Sequence, residues 1–506
     1  MALLRRHAIG WSGVVAMGAF VMFPMSIGSA ITGTMRSEST AIDSLRDQII
    51  SLSGQVPPEL GAYATLQLVR LGLIDKASEQ QSTLLSAFSL AGQSPFSIRR
   101  TLIYGNADSR SGYASDAMSL NLDTLSLRSE IVIAMLGSDR ALARQLFAQM
   151  GPPAVPRLTC SGSLIPDPAP YFQAAAQIYQ RGFSPAQRVT GEDVDFLNNV
   201  LLGITSGSEL HNALSMLYTL RLKPYVRQGA EISLGHAISQ IRSDPRTFSA
   251  TLLPFVEDLA VGAAPNDSGE FALLSAARGY IVSNASDAAC IDEIWHAKPG
   301  GNDAPAIALA VDPGAFAELN VLLAAYGISS ISASELAPRS VLDQKEDTGP
   351  LYWQDPTSRS VEEEYKRLRF AADHDSDLWQ AQADLFLQHM RDWAEPQNPD
   401  DAEGVLVEKA ILYSGFLDAV PLDSPLLQPS IIDYLGFLSQ PPPQATDEIF
   451  ILWDINRLFQ SPRLATESPR FRNALASAIQ AAPNPTVALW AALLRLSRVS
   501  GSAGTN

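Results

Sequence analysis

The acidic run Asp373–Asp377, which reads Asp-His-Asp-Ser-Asp, is the stretch whose residue types and spacing best suit metal chemistry. Four carboxylates occupy positions 1, 3, 5 and 12 of a calcium-loop pattern: Asp373, Asp375, Asp377 and Asp384. Oxygen ligands at these offsets converge on a hard cation when the backbone wraps around it. Two departures weaken the pattern, because position 6 is Leu378 instead of the glycine that permits a sharp turn, and position 12 is the shorter Asp. The alternative is a turn between two helices, in which Asp375 or Ser376 caps the second helix and Asp377 complements its positive end.

Adjacent acidic residues supply the second candidate chemistry, since glycoside hydrolysis needs two carboxylates facing each other across a cleft. Three such pairs stand in the sequence: Glu192-Asp193, Glu257-Asp258 and Asp292-Glu293. Their alternative role is that of charged helix ends. Glu293 and His296 also form half of a carboxylate-bridged iron motif, but the sequence has no second Glu-x-x-His, which favours an ordinary surface pair.

The sequence lacks the motifs of the common nucleophilic and nucleotide-dependent enzymes. It has no Gly-x-Ser-x-Gly, Ser-x-x-Lys or His-Glu-x-x-His, and no Gly-rich phosphate loop of the P-loop or dinucleotide type. We therefore predict no catalytic residue and no cofactor.

Aromatic residues in and after a linker suggest a possible binding platform, although packing in the core is their more common fate. They are Tyr352, Trp353, Trp379, Trp393 and Trp453. His389 lies on an apolar helix and is predicted to sit at the edge of the core.

Only two cysteines occur, Cys160 and Cys290. In an oxidising compartment we expect them to form a disulfide, and the alternative is two buried free thiols. They are too few for a zinc site, because no histidine supply lies nearby.

The first thirty residues resemble an export signal. Arg5 and Arg6 form a positive start, Ile9–Phe23 is apolar, and Gly28-Ser29-Ala30 offers small residues for cleavage after Ala30. We therefore expect a periplasmic or secreted protein. The alternative is an uncleaved N-terminal anchor, which would be the chain's only contact with a membrane.

The remaining sequence is dominated by apolar residues at helical spacing, and alternation of period two is scarce. It predicts an all-α protein of about twenty helices, paired by short turns such as Gly137-Ser138-Asp139. One of the helices is expected at Asp287–Ala297, and the one candidate strand is Ala306–Ala310, for which a helix is the alternative. Two polar runs are expected to lack regular structure: Thr32–Thr40, which should be flexible, and Gln93–Gly112, which should be irregular. Pairs of this length cannot bury their apolar faces alone, so we expect αα-hairpin repeats stacked as an α-solenoid, or alternatively a closed α/α toroid. Composition breaks divide the chain into a signal peptide (1–30), an N-terminal helical region (31–150), a central repeat region with both cysteines (151–348) and a C-terminal repeat region (349–506).

Two stretches resemble a family of exported, uncharacterised helical proteins of bacteria. One contains Pro57-Pro58-Glu59-Leu60 followed by Leu84-Leu85, and the other contains Arg157-Leu158-Thr159-Cys160 followed by Tyr171-Phe172. The resemblance covers the first third to half of the chain. It implies export and helicity, and it assigns no activity and no site residue.

The charge composition limits which classes of binding partner are expected. The chain carries 36 basic against 53 acidic residues, a formal charge of −17, without a long basic patch, so no nucleic-acid partner is expected. The long series of predicted helices contains no catalytic motif. This favours a scaffold that binds a protein or peptide in the cell envelope. The alternative function is a carbohydrate-active hydrolase or lyase that uses paired carboxylates on a toroid.

Overall fold

The computed structural model describes most of the chain beyond the predicted signal segment. The described residues are 31–74, 76–102, 109–160, 162–246, 251–262, 268–291, 294–295, 306–307, 313–342, 356–374, 376–393, 399–421, 424–440, 442, 447–461, 471, 479 and 484–503. The predicted signal, residues 1–30, lies outside them. The chain divides into two compact units, Met1–Ser44 and Leu45–Asn506. Everything that follows concerns the second unit, apart from the first turns of the first helix.

The described chain is mostly helical, so the prediction of an all-α protein is confirmed. The early helices are α1 (Ile31–Ser53), α2 (Pro58–Arg70), α3 (Ala77–Ala91), α4 (Ser109–Met118), α5 (Thr124–Met135) and α6 (Arg140–Met150). The central helices are α7 (Ala169–Arg181), α8 (Pro185–Thr190), α9 (Glu192–Leu202), α10 (Leu210–Thr219), α11 (Pro224–Ile238), α12 (Leu253–Gly262), α13 (Ser268–Ser286) and α14 (Pro313–Ala325). The late helices are α15 (Pro356–His374), α16 (Ser376–Asp392), α17 (Pro399–Ala419), α18 (Leu427–Leu438), α19 (Glu448–Gln460) and α20 (Pro485–Ala503).

Short side chains and prolines fix where several helices begin. Asp123 and Asp139 accept hydrogen bonds of 2.9 Å from the backbone of Ser126 and Leu142, which satisfies free N–H groups at the starts of α5 and α6. Proline occupies the first turn of α2, α7 and α11, where its missing N–H is not needed. These local signals explain why the turn predicted at Gly137–Asp139 is present.

Three two-stranded ladders interrupt the helices in the described part of the chain. β1 (Arg100–Leu102) pairs antiparallel with β2 (Leu164–Pro166). β3 (Ala288–Cys290) pairs parallel with β6 (Ser340–Leu342), and β4 (Ile294–Trp295) pairs antiparallel with β5 (Ala306–Ile307). The candidate strand at Ala306–Ala310 is thus present over its first two residues.

The structure corrects three local expectations. A helix was expected at Asp287–Ala297, but β3 and β4 occupy that segment, where Cys290 is tied to a distant cysteine and pairs with Leu342. The polar run Thr32–Thr40 was expected to be flexible, yet α1 begins at Ile31. Helix α4 lies partly within a stretch expected to be irregular. In the first case, long-range pairing outweighs the local helical preference.

The expected disulfide between Cys160 and Cys290 is present, with a Cα–Cα distance of 5.4 Å. Both residues are buried, and the bond joins the segment before β2 to strand β3. It therefore connects two points 130 residues apart in the central region.

The helices of the second unit pack in a regular order. α5 contacts α7, α7 contacts α10, α10 contacts α12 and α12 contacts α14, while α9 contacts α11 and α11 contacts α13. A continuous cluster of buried apolar side chains follows this order from Ala62 in α2 to Leu336 in a short 3-10 helix, Ala333–Leu336. In the late part, α17 contacts α15, α18 and α19, and the last two helices return to the early ones, α19 to α4 and α20 to α2. Within the described ranges, no helix combines the length and the apolar character needed to cross a bilayer.

Candidate functional site

A cavity of about 230 Å³ with a mixed polar and apolar lining opens where the N-terminal ends of α7, α10 and α12 meet the β1–β2 ladder. We call it the three-helix cavity. It is lined by Thr101, Ile165, Pro166, Asp167, Pro168, Ala169, Ser208, His211, Asn212, Thr251 and Pro254. Because the positive ends of helix dipoles lie at helix N-termini, three such ends at one place favour a negatively charged ligand group.

Asp167 links the ladder to the first of these helices. Its Oδ1 accepts a hydrogen bond of 2.9 Å from the backbone N–H of Ala169, and its Oδ2 lies 2.6 Å from Nη2 of Arg99. Arg99 also donates to Oδ1 of Asn121 at 2.8 Å. The negative charge of Asp167 is therefore compensated before any ligand arrives.

Ser208 is the unusual polar group of the cavity. It lies in a 3-10 helix, Gly207–Glu209, that leads into α10, and the side chain of Ser206 caps this turn by accepting from the backbone N–H of Ser208. Ser208 is only 6% exposed, and its Oγ has no hydrogen-bond partner among the described residues. A buried hydroxyl without a partner costs about 1–3 kcal/mol, which is the cost that a bound ligand group would relieve.

His211 follows one turn later and is paired with a carboxylate of α12. Its Nδ1 lies 2.9 Å from Oδ2 of Asp258. The contact with Asp258 raises the pKa of His211 above its usual value, against the opposing effect of partial burial. The raised pKa means that His211 keeps a positive charge to a higher pH than a free histidine does, so the cavity holds a second compensated pair.

We predict that Gly207→Ala destabilises the protein by about 1–3 kcal/mol, because an added methyl group would overlap Oη of the buried Tyr280. The free energy of unfolding from urea titration measures the effect. Gly229→Ala is the matched control, since Gly229 lies in α11 with open space around it and the change should stabilise by about 0.5–1 kcal/mol. Equal effects of the two substitutions would show that close approach at Gly207 does not matter.

Of the three acidic pairs predicted from the sequence, one contacts a residue that lines this cavity. Asp258 of Glu257-Asp258 holds His211. Asp193 is instead paired with Arg188 at 3.0 Å, and Glu192 accepts from Gln187 at 2.9 Å, so this pair stabilises the start of α9. The pair Asp292-Glu293, together with His296, lies outside the described residues.

The predicted calcium ligands fall around the junction of two helices. Asp373 belongs to the last turn of α15, Asp377 to the first turn of α16, and Asp384 is exposed further along α16. Asp375 lies between the two helices and outside the described residues. The calcium site therefore stays a prediction, and in the described part of the chain no group of three metal-ligating side chains is found.

The other singled-out residues have ordinary packing roles where they are described. Trp379 and Trp393 are buried, and Trp453 is partly buried. Tyr352 and Trp353 lie outside the described residues. His389 is partly exposed, with Nδ1 2.5 Å from Oε2 of Glu364 across α15 and α16.

Sequence reasoning missed Asp167, Ser208 and His211. The available signal was local: Ser208 and His211 stand three residues apart at the start of a predicted helix, which places them on one side of its first turn. Their connection to Asp167 and Asp258 spans up to fifty residues and depends on the packing of α7, α10 and α12.

Comparisons of the chain with protein-family models, with curated proteins and with solved structures give no match.

Proposed function

We propose that this protein is an exported helical-repeat scaffold of the cell envelope that binds a peptide or protein partner, and that the three-helix cavity takes a carboxylate of that partner. The main observation behind this proposal is that three helix N-termini meet at one cavity. His211 and Ser208 line this cavity, and the Ser208 Oγ has no hydrogen-bond partner among the described residues. The export pattern of residues 1–30 and the disulfide support the location.

The packing order of the helices supports the repeat part of the proposal. In a solenoid of helix pairs, each helix packs against the equivalent helix of the next repeat. Contacts in the order α5, α7, α10, α12, α14 and in the order α9, α11, α13 have this character. The three-helix cavity lies along the first of these rows, at one end of three successive members.

Charge balance favours a carboxylate as the bound group. Arg99 compensates Asp167, and protonated His211 compensates Asp258, so the helix N-termini contribute the remaining positive potential. A carboxylate can accept hydrogen bonds from Ser208 and from His211 at the same time, whereas a neutral amide offers weaker acceptors. The volume of about 230 Å³ suits one such group with its neighbouring side chain.

We predict that a library of N-acetylated tetrapeptides with a free C-terminal carboxylate contains binders, whereas the same library as carboxamides binds at least tenfold more weakly. Affinity selection followed by calorimetry measures the difference. Affinity should fall as the pH rises, because His211, whose pKa is raised, loses its positive charge over that range. Equal binding of acid and amide forms, or no binding of either, would refute the proposal.

Two substitutions test whether peptide binding depends on His211 itself or only on the overall charge of the protein. His211→Gln should weaken binding at least tenfold, because it removes a charged hydrogen-bond donor. His236→Gln is the matched control, since His236 is exposed on α11 and does not line the cavity. Circular dichroism of both variants checks that the fold is retained.

The hydrolase alternative has one specific observation in its favour, which is that His211 has two carboxylates nearby: Asp258 lies 2.9 Å from its Nδ1, and Asp167 lines the same cavity as His211. Incubation with bacterial and plant polysaccharides, followed by measurement of released reducing ends, tests this second candidate. Release that is abolished in Asp258→Asn would support it, and the absence of release from every polysaccharide would exclude it.

A further inference from the structure

A second cavity, of about 350 Å³, lies between α2, α5, α19 and α20. We call it the tyrosine–tryptophan cavity, after Tyr63 of α2 and Trp490 of α20, which line it. It shares no residue with the three-helix cavity. Its volume falls at the lower end of the range of small-molecule sites, which is about 300–1,000 Å³.

The aromatic part of this cavity is a stacked pair of rings, one of which carries an N–H donor without a partner in the described part of the chain. The rings of Tyr63 and Trp490 are stacked, with centroids 5.4 Å apart and an angle of 30° between their planes. Tyr63 is partly exposed, whereas Trp490 is 4% exposed. The indole Nε1 of Trp490 is buried and has no hydrogen-bond partner among the described residues. Since a buried indole N–H usually finds an acceptor, this donor points to a ligand oxygen.

The polar part of the cavity is rich in neutral amides. Gln67 and Asn456 line it from α2 and α19, and Gln460, which also lines it, donates to Oδ1 of Asn456 at 3.1 Å. The two charged groups, Arg70 and Glu130, are paired with each other at 2.8 Å and so cancel. The lining thus provides donors and acceptors in the same place without a net charge.

We propose that the tyrosine–tryptophan cavity binds a neutral saccharide of one or two rings. A pyranose combines a C–H face, which packs on an aromatic ring, with a rim of hydroxyl groups that both donate and accept hydrogen bonds. The compensated charges argue against a phosphate or a carboxylate, because such a group would compete with Glu130 for Arg70. The inference does not rest on the carboxylate site, since the residues and the ligand chemistry are different.

The test is a titration of the full chain with glucose, N-acetylglucosamine and their β-1,4-linked disaccharides, followed by calorimetry and saturation-transfer NMR. At least one of these saccharides is expected to bind, and any that bind should compete with one another for the same cavity. Trp490→Phe, which keeps an aromatic ring and removes the N–H, is expected to weaken binding about five- to tenfold, and Gln67→Ala to weaken it similarly.

Trp379→Phe is the matched control, because Trp379 is also buried with an Nε1 that lacks a partner in the described part of the chain, yet it does not line this cavity. Its affinity should equal that of the unaltered protein. The proposal is overturned if no saccharide of the panel binds, or if Trp490→Phe and Gln67→Ala, shown by circular dichroism to be folded, bind as well as Trp379→Phe. Neither outcome bears on the peptide experiment, which reports on His211.

Discussion

Replacement of both cysteines by serine is expected to lower the free energy of unfolding by about 2–5 kcal/mol. The bond between Cys160 and Cys290 closes a loop with a sequence separation of 130 residues, for which loss of unfolded-chain entropy gives an upper value of about 5 kcal/mol. The bond also joins β3, in a segment whose own sequence favours a helix, to the segment before β2. The reduced protein should therefore lose both the covalent link and the local β pairing.

Urea unfolding followed by circular dichroism measures this change as a shift of the midpoint. The oxidised protein should show the higher midpoint, and the reducing agent dithiothreitol should lower it to that of the double serine variant. Dithiothreitol should have no effect on the variant itself. Coincident midpoints for the oxidised protein and the variant would contradict the prediction.

A second large effect is expected at Glu209, which lies directly before α10. Its side chain is completely buried, Thr205 is its hydrogen-bond partner, with the hydroxyl at 3.5 Å, and Oε2 has no partner among the described residues. Burial raises the pKa of Glu209 from 4.5 to about 7. Because the folded-state pKa is the higher one, the folded protein holds this proton more tightly, so the stabilisation is complete below pH 4.5 and is lost as the pH rises through about 7.

Glu209→Gln removes this titration while keeping the shape of the side chain. The variant should match the unaltered protein near pH 4.5 and exceed it in stability above pH 7, by at most about 3 kcal/mol for a change of 7 − 4.5 = 2.5 in pKa. Urea unfolding at a series of pH values measures the difference. Glu192→Gln is the control, since Glu192 is exposed on the surface of α9. A stability difference that does not depend on pH would rule out a buried titrating carboxylate at Glu209.

The helices could be predicted because the signals that determine them are local. Asp139 caps α6 within three residues of its hydrogen-bond partner Leu142, and Pro224 occupies the first turn of α11. β3 could not be predicted, because its partners are Ser340–Leu342 and a cysteine 130 residues earlier. The strand exists through contacts that no short window contains.

The candidate site could likewise be predicted only where the signal is local. Asp258 was recognised as one of several acidic residues with a possible chemical role, since its type is visible in the sequence. Its pairing with His211, and the burial of Ser208 without a partner, result from three helices meeting at their ends. The export signal, the calcium ligands and the protein or peptide partner stay predictions.

The return of α19 and α20 to α4 and α2 has a consequence for folding during synthesis. The early helices leave the ribosome more than three hundred residues before the late helices that pack on them. Until α19 and α20 have been made, the sides of α4 and α2 that these helices contact stay uncovered, although α2 already packs on α3 and α5, and these contacts of long sequence separation must form last. The nascent chain should therefore depend on chaperones until its final helix has emerged, and ribosome-stalled chains ending before α20 should be more sensitive to protease at α2 than the released protein.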